Sequence, residues 1–359
     1  MTNEIHPQFK LNGIHFSKEG LKEVGYSLVK EGDPYEHAIG DFLLDWCNET
    51  PHISVRTSGS TGKPKQILLK KQHMVNSALA TSKFFGLRPG DKALHCLPAE
   101  FIAGKMMLVR AMVLGLELDY LQPSSNPLEL LSKRYDFCAM VPIQVANSLK
   151  KLNNIKTLIV GGAPISNALR TKLRSVDCEI YETYGMTETI THIAARKMGN
   201  IRSTEADAHF KVLPEINISQ DKRSCLIIDA PHICEEIIMT NDVVRLISKN
   251  EFEWLGRYDN IINSGGIKLF PEQIESKLEE TIPKPFFVTG LPDEDLGEKL
   301  VLIVEGVHDT QKLDRKLKEL SNLEKFEVPK EIYGVPEFVF TPNNKIARKK
   351  TVQIALDRM

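Results

Sequence analysis

The chain has 359 residues, of which 42% are hydrophobic and 26% are charged, and its formal net charge is −1. That length predicts about two domains, and the composition is ordinary for a globular protein. The near-zero net charge argues against a protein that binds nucleic acid or anionic membrane surfaces, since both need a basic excess.

Cysteine usage and hydropathy predict a cytoplasmic protein that does not insert into a membrane. The six cysteines show no Cys-x-x-Cys spacing and no histidines at zinc-site intervals, so we expect reduced, mostly buried thiols. Residues 1–10 lack the apolar core of a signal peptide. The most apolar stretch, residues 101–121, is interrupted by Lys105, Arg110, Glu117 and Asp119 and is too polar to span a bilayer.

Hydrophobic spacing predicts an α/β fold. The first third of the chain predicts helices at 38–46, 73–85 and 103–114 and strands at 52–56, 67–69 and 92–97. Strands at 136–141, 157–160 and 179–184 then alternate with helices at 143–151 and 166–175. Such alternation is typical of a largely parallel sheet with helices on its faces, and ligands bind beyond the carboxyl ends of such strands.

The last third changes character and predicts a second domain. Short β segments fill residues 203–256, and beyond them helices at 272–278 and 311–320 and strands at 286–289, 300–305 and 337–340 indicate a small α+β unit. We therefore predict an N-terminal domain at 1–256 and a C-terminal domain at 257–359.

A polar run between two predicted strands is a candidate phosphate loop. Glycines allow a close approach of the backbone, exposed N–H groups and hydroxyls suit phosphate oxygens, and lysines supply positive charge. An ordinary Ser/Thr/Gly surface loop is the alternative, but the flanking strands favour a tightly held hairpin. The common P-loop is excluded, because too few residues separate the glycines. The run is Thr57, Ser58, Gly59, Ser60, Thr61, Gly62, Lys63, Pro64 and Lys65.

Five further features each have a simple structural alternative. Gly161–Pro164 follows one strand and fits a tight turn, whereas Tyr184–Thr189 follows the next and fits a polar helix cap. Asp242 fits a turn residue, Arg257 a solvated charge between domains, and Lys345 a solvated basic run. The order in which all of them occur favours a functional interpretation instead.

Taken together, the motifs between about residues 50 and 350 resemble those of the adenylate-forming (acyl-AMP-forming) enzymes, namely acyl-CoA synthetases, luciferases and adenylation domains. The resemblance implies a large N-terminal domain with mixed and parallel sheets, and a small C-terminal α+β domain on a hinge. It also implies ATP, Mg²⁺, a small-molecule carboxylic acid and coenzyme A as ligands. The 57–65 run resembles the family's phosphate loop, in which Thr57, Ser58, Gly59, Ser60, Thr61, Gly62 and Lys65 bind ATP.

The resemblance assigns roles to residues around the nucleotide. Tyr184 stacks on adenine, and Gly161, Gly162, Ala163 and Pro164 form the wall beside the base. Thr187 touches the α-phosphate, and Glu188 holds Mg²⁺, an ion that prefers carboxylate, phosphate and water oxygens. Asp242 accepts hydrogen bonds from the ribose, although Asn241 stands where the family usually has glycine.

The same resemblance assigns the C-terminal motifs. Arg257 lies near the ribose, Asp259 is the hinge, and the loop with Gly265 and Gly266 lines the tunnel for the CoA thiol. Lys345 is the catalytic lysine of the first half-reaction. Asn344 precedes it where glycine is customary, but asparagine tolerates left-handed backbone.

The substrate is predicted from chain length and local similarity. Little sequence precedes the phosphate loop, as in the o-succinylbenzoate–CoA ligases of menaquinone synthesis, and residues 161–166 and 184–191 look similar to theirs. Phe101 stands where the family usually has histidine. Lys105 and Arg110 suit either a second substrate carboxylate or a solvated helix face, and the sequence favours the solvated face.

Alternatives stay open at this stage. They are another acyl- or aryl-CoA ligase, an adenylating enzyme that serves a carrier protein, and a nucleotide-binding relative without turnover. The sequence also leaves open whether the protein forms a homodimer.

Overall fold

The computed structural model describes residues 5–56, 66–198, 209–306, 309–340 and 346–357. The predicted phosphate-loop residues 57–65 and the predicted catalytic Lys345 lie outside these ranges.

Helices occur along the whole described chain. Residues 149–154, 187–189 and 258–260 form short 3₁₀ turns. The α-helices are α1 (Lys18–Glu31), α2 (Pro34–Cys47), α3 (Lys71–Phe85), α4 (Ile102–Leu114), α5 (Pro142–Asn147), α6 (Asn167–Leu173), α7 (Pro271–Leu278), α8 (Thr310–Lys318) and α9 (Arg348–Leu356).

The described strands form three sheets. The large sheet contains β1 (Lys10–Leu11), β2 (Ile14–His15), β5 (Lys92–His95), β6 (Glu117–Tyr120), β7 (Tyr135–Met140), β8 (Ile155–Val160), β9 (Glu179–Gly185), β10 (His192–Met198), β11 (Phe210–Val212), β12 (Asn217–Gln220), β13 (Cys225–Asp229), β14 (Ile238–Ser248) and β15 (Glu251–Arg257). The others contain β3 (His52–Arg56) with β4 (Gln66–Lys70), and β16 (Ile262–Ser264), β17 (Ile267–Leu269), β18 (Phe286–Asp293), β19 (Gly297–Glu305) and β20 (Glu331–Val335).

The centre of the large sheet is parallel, as the sequence predicts. Its strand order is β12-β13-β14-β15-β11-β10-β9-β8-β7-β5-β6-β1-β2, and the pairs from β6 through β5, β7 and β8 to β9 are parallel. One face packs on α2, α3 and α4, whereas α5 and α6 cover the other. The Gly161–Pro164 and Tyr184–Thr189 motifs therefore begin at the carboxyl ends of β8 and β9, on the same edge of the sheet.

The strands flanking the predicted phosphate loop pair with each other. β3 and β4 are antiparallel, in a register that runs from His52 opposite Lys70 to Arg56 opposite Gln66. The predicted hairpin is therefore confirmed for the described residues on both sides of the run.

The chain passes from the large sheet to the β16–β20 sheet through residues 258–261. The last strand of this second sheet is β20 and not residues 337–340, so that prediction is wrong. β20 pairs in parallel with residues 301–305 over its full length, and Pro336, which has no N–H to donate, follows it. Phe340 forms only an isolated bridge to Ile346.

The burial of the cysteines agrees with the expectation of reduced, mostly buried thiols. All six cysteines are free thiols, and five are buried while Cys234 is half-buried. No helix in the described part of the chain is both long enough and apolar enough to cross a bilayer.

His95 at the end of β5 is buried, and neither of its ring nitrogens has a hydrogen-bond partner among the described residues. Burial lowers the pKa of His95 from 6.5 to about 4. The unfolded chain therefore binds this proton at a higher pH than the folded chain does. The contribution of neutral His95 to the free energy of unfolding is therefore complete above pH 6.5, and it is lost as the pH falls towards 4.

We expect His95→Leu to remove this acid sensitivity. The stability of the variant relative to the native chain should rise by about 2 kcal/mol between pH 7.5 and pH 5. Urea unfolding at both pH values measures it, with the exposed His52→Leu as the matched control. Parallel pH profiles for native chain and His95→Leu would contradict the burial argument.

Candidate active site

A cavity of about 770 Å³ lies beyond the carboxyl ends of β8 and β9, between the large sheet and α7. Residues from three predicted motifs line it, namely Gly162, Ala163, Pro164, Tyr184 and Asp242. Gly161 directly precedes this wall, and Arg257 reaches it by hydrogen-bonding to Asp242. The motifs that the sequence orders along 161–257 thus meet at one place.

The glycine wall is fixed by space and by backbone conformation. Gly162 has φ +85°, a left-handed value that favours glycine. A Cβ at Gly161 would lie 2.5 Å from Thr183 Oγ1. Packing against β9 therefore requires glycine at Gly161 and backbone conformation favours it at Gly162, so neither position puts a side chain into the cavity wall.

Tyr184 presents an aromatic side chain to the cavity. Its Oη donates to Asp242 Oδ2 at 2.7 Å, and its ring packs against Phe210 and Phe252. Burial, and then the charge of Asp242, raise the pKa of Tyr184. The phenol therefore stays protonated and keeps its donor role at neutral pH.

Asp242 is 7% exposed and accepts hydrogen bonds on both oxygens. Oδ1 accepts from Trp254 Nε1 at 3.2 Å and from Arg257 Nη1 at 3.3 Å, while Oδ2 accepts from Tyr184. A carboxylate offers about four acceptor positions, so one remains for a ligand hydroxyl.

A β-bulge brings these donors together. Asp242 pairs with Arg257 and Val243 with Gly256, but Val244 pairs with Trp254, so Leu255 is an extra residue. Such an insertion changes which side chains share a face of the strand. Trp254 and Arg257 consequently both reach Asp242.

Helix α7 of the second sheet's unit forms the opposite wall. Asn167 Nδ2 donates to Ser276 O at 2.6 Å, and Gln273 Nε2 donates to the carbonyls of Trp254 and Leu255 at 3.1 and 3.2 Å. Basic side chains from α6, the residue after α6 and β10 line the cavity, as do acidic side chains from α7 and the residue after it. The basic ones are Arg170, Arg174, Arg196 and Lys197, and the acidic ones are Glu272, Glu275 and Glu279.

The loop after Tyr184 is held tightly but leaves one carboxylate to solvent. Thr189 Oγ1 accepts from Met186 N at 3.1 Å and lies 2.8 Å from Thr191 O. Ile190 has φ +65°, a strained value for a β-branched residue and one that clusters at functional sites. Glu188 is exposed, and no described residue forms a hydrogen bond or an ion pair with its carboxylate.

Some predicted site residues lie elsewhere. Asp259 is exposed and accepts from Asn241 Nδ2 at 3.2 Å, and Gly265 and Gly266 are exposed; none of the three lines the cavity. Thr187 and Glu188, in the loop after Tyr184, do not line it either. Their predicted roles, like those of the 57–65 run and Lys345, stay predictions.

Sequence reasoning assigned no role to most of the cavity lining, including Trp254 and Glu272, and it misjudged Arg110. Trp254 and Glu272 line the cavity, and Glu272 Oε2 is buried without a hydrogen-bond partner among the described residues. Gly256 inside a strand pattern is the signal that could have revealed the bulge behind Trp254. The expectation of a solvated face is wrong for Arg110, which is 1% exposed.

Known proteins resemble this chain over most of its length. A family profile described as "AMP-binding enzyme" matches residues 48–216. A crystal structure of an acyl-CoA synthetase (AMP-forming)/AMP-acid ligase II-like protein from Dyadobacter fermentans is 35% identical, covers 92% of this chain and 97% of its own, and has a TM-score of 0.62.

More distant relatives carry narrower names. The 2-succinylbenzoate–CoA ligases of Listeria monocytogenes and Enterococcus faecalis are each 24% identical, over 91% and 92% of this chain and 74% and 75% of their own. The o-succinylbenzoate CoA synthetase of Bacillus subtilis, solved with the acyl-adenylate intermediate OSB-AMP, is 20% identical with a TM-score of 0.72, over 94% of this chain and 81% of its own. That last likeness establishes the adenylate-forming fold alone.

Proposed function

The chain belongs to the adenylate-forming, AMP-binding enzyme family of acid–CoA ligases, and on that premise we propose that it converts a carboxylic acid to its CoA thioester at the expense of ATP. We propose 2-succinylbenzoate as the acid, which the names of the relatives support. The observation that carries the proposal is the convergence of Tyr184, Asp242 and the Gly161–Pro164 wall on one cavity.

The cavity suits a nucleoside monophosphate unit. A flat backbone wall and the Tyr184 ring offer two surfaces for a purine. The remaining acceptor position of Asp242 and the buried, unpartnered Glu272 Oε2 offer acceptors to ribose hydroxyls. We propose that Thr187, three residues after Tyr184, contacts the α-phosphate.

The first half-reaction forms an acyl-adenylate. A carboxylate oxygen attacks the α-phosphorus of ATP, the bond to the bridging oxygen breaks, and pyrophosphate leaves. Negative charge spreads over the phosphate oxygens in the transition state, so positioning and electrostatic stabilisation supply most of the catalysis. We assign these tasks to Lys345, Thr187 and the 57–65 loop.

Magnesium fits the residues present. Among the described residues no group of three or more His, Cys, Asp or Glu side chains could hold a metal by itself. The exposed carboxylate of Glu188 would supply one hard oxygen ligand, and phosphate oxygens and water suit the remaining positions. When bound there, the ion would neutralise charge on the phosphates.

The second half-reaction transfers the acyl group to sulfur. The CoA thiolate attacks the acyl carbon, the carbon–oxygen bond breaks, and AMP leaves. A thiol pKa of about 8.5 provides some thiolate near neutral pH without a dedicated base. We propose that residues 257–359 rotate about Asp259 between the two steps, so that the Gly265–Gly266 loop replaces Lys345 at the cavity.

Pyrophosphate release and AMP release, measured over a panel of acids with and without CoA, test the proposal. We expect acid-dependent pyrophosphate release without CoA and AMP release that needs CoA. A carrier-protein enzyme would give the first without the second. A chain that releases neither product with any acid would overturn the proposal.

The free thiols support the cytoplasm as the proposed location.

We expect Glu188→Ala to raise the Mg²⁺ concentration needed for half-maximal pyrophosphate release by about 10-fold or more, because one charged oxygen ligand is lost. Folding stability should not change, since Glu188 is exposed and unpartnered among the described residues. The exposed Glu129→Ala is the matched control. An unchanged magnesium requirement would remove Glu188 from this role.

A further inference from the structure

The turn that closes the Tyr184–Thr189 motif has a rare backbone conformation. Ile190 has φ +65° and ψ −60°, and Thr191 N donates to Thr189 O at 2.7 Å across it. These features define a γ-turn of the positive-φ form, which is strained for any L residue and most of all for a β-branched one. Ile190 is also buried in the main core. Surrounding contacts must therefore hold this turn in place.

The γ-turn determines the geometry of the loop that carries Thr187 and Glu188. The two ends of this loop meet where Gly185 of β9 pairs with His192 of β10. A Cβ at Gly185 would lie 2.2 Å from Thr191 O, so the chain ends approach each other too closely for any other residue at this position. The loop between them has six residues. A change at the turn therefore moves Thr187 and Glu188 as well.

Arg110 of α4 contacts the two residues that follow the centre of the γ-turn. Its Nη2 donates to Thr191 Oγ1 at 3.4 Å and to His192 Nδ1 at 3.5 Å, and its Nε donates to Thr81 Oγ1 at 3.4 Å. Arg110 is buried, and no described carboxylate forms an ion pair with it. Hydrogen bonds from a charged donor are usually shorter, so these contacts offset only part of the cost of burying the charge. The stability of the fold alone therefore does not account for an arginine here.

The hydrogen bonds around Arg110 form one directional network that connects α3 and α4 to the loop. A guanidinium can only donate, so His192 Nδ1 accepts and the ring proton lies on Nε2, 3.4 Å from Thr81 Oγ1. Thr81 Oγ1 in turn donates to Ser77 O at 2.9 Å. Burial, and then the charge of Arg110, lower the pKa of His192, so the ring stays neutral at pH 7. Arg110 thus fixes the chain directly after Ile190.

We propose that Arg110 is a positioning residue for acid activation, and that it holds the γ-turn, and through it Thr187 and Glu188, in the orientation that the α-phosphate and Mg²⁺ require. The inference rests on the proposed function, in which those two residues contact the phosphate and the ion. Tyr184 is held separately, by its hydrogen bond to Asp242. Loss of the Arg110 contacts should therefore disturb the phosphate chemistry and leave the binding of the nucleoside unchanged.

Thr191→Val and Thr191→Ser provide the most direct test, because valine matches threonine in shape but lacks the hydroxyl. We expect Thr191→Val to lower kcat for pyrophosphate release by about 10-fold or more, the effect of losing a hydrogen bond to a charged group. The Mg²⁺ concentration needed for half-maximal release should rise with it. The affinity for adenosine, which carries no phosphate, should not change when it is measured by the fluorescence of Trp254 in the cavity. Thr191→Ser keeps the hydroxyl and should behave as the native chain does.

Arg110→Met should give the same pattern with a larger fall in kcat, of about 100-fold, the effect of displacing a catalytic group by about 1 Å. The exposed Arg88→Met is the matched control and should leave kcat, the Mg²⁺ requirement and the adenosine affinity unchanged. Because Arg110 acts through Thr191, adding Thr191→Val to Arg110→Met should lower kcat little further.

Several results would overturn the inference while acid activation itself stands. One is a Thr191→Val variant with native kcat. Another is a lower kcat with an unchanged Mg²⁺ requirement, which indicates only a smaller folded fraction, and a third is an equal loss of adenosine affinity, which indicates general disruption of the cavity. If Arg110→Met fails to fold, the two Thr191 variants decide alone. A native chain that activates no acid overturns the proposed function and the inference with it.

Discussion

Asp242→Ala is expected to abolish ATP-dependent acid activation and to destabilise the fold. The substitution leaves the hydroxyl of Tyr184 and the indole N–H of Trp254 without their acceptor in a buried site. Hydrogen bonds to a charged group contribute more than neutral ones, so we expect a loss of about 2–4 kcal/mol in the free energy of unfolding. The Arg257 side chain is half-exposed and can turn to solvent, so the loss of its ion pair contributes little to this decrease in the free energy of unfolding.

The effect on ATP should be separable from the effect on folding. Asp242→Asn keeps the shape and one acceptor oxygen, so it should fold better than the alanine variant while still raising KM for ATP by about 100-fold, the cost of one charged hydrogen bond. Asp229→Ala, in neighbouring β13 and half-buried, is the control. Urea unfolding and pyrophosphate release measure both effects. An Asp242→Asn variant with unchanged KM for ATP would show that this carboxylate is structural.

The regular elements and the order of the motifs were predictable from the sequence. The strands at 155–160 and 179–185 are continuous apolar or alternating segments between clear loops, so local pattern locates them. The polar motifs follow these strands directly, and parallel pairing then places both at one edge of the sheet. The order and direction of the strands therefore account for most of the positions of the cavity residues.

What the sequence could not predict depends on long-range packing. Arg110 looks like a solvent-facing residue in its local pattern, yet α4 is surrounded by α3 and the sheet, and the charge is enclosed. The bulge at Leu255 is a matter of register between β14 and β15, which periodicity does not report. The strand predicted at 337–340 is wrong because the last pairing of the second sheet uses residues 331–335, which precede Pro336, and local pattern does not report which segment pairs with β19.

The wall formed by α7 gives the C-terminal region a direct part in the cavity. Asn167 N donates to Glu279 Oε2 at 2.6 Å, in addition to its side-chain bonds with Ser276. Arg348 at the start of α9 pairs with Glu275 Oε2 at 2.9 Å and donates to Val288 O at 3.3 Å. Because Glu275 lines the cavity, the described segment that follows Lys345 is linked to the cavity wall by the ion pair between Arg348 and Glu275.

Lys345→Ala is expected to separate the two half-reactions. If the lysine neutralises charge on the α-phosphate during attack, its loss should slow pyrophosphate release by about 100-fold or more, the size typical of a lost transition-state donor. Thioester formation from supplied acyl-adenylate should stay within about twofold, because no charge develops on a phosphate that needs this lysine in that step. The exposed Lys350→Ala, from the same basic run, should leave both rates unchanged. Equal loss in both steps would instead indicate that Lys345 acts through the position of the whole C-terminal region. In that case Thr187 and the 57–65 loop would have to stabilise the charge on the α-phosphate during adenylation.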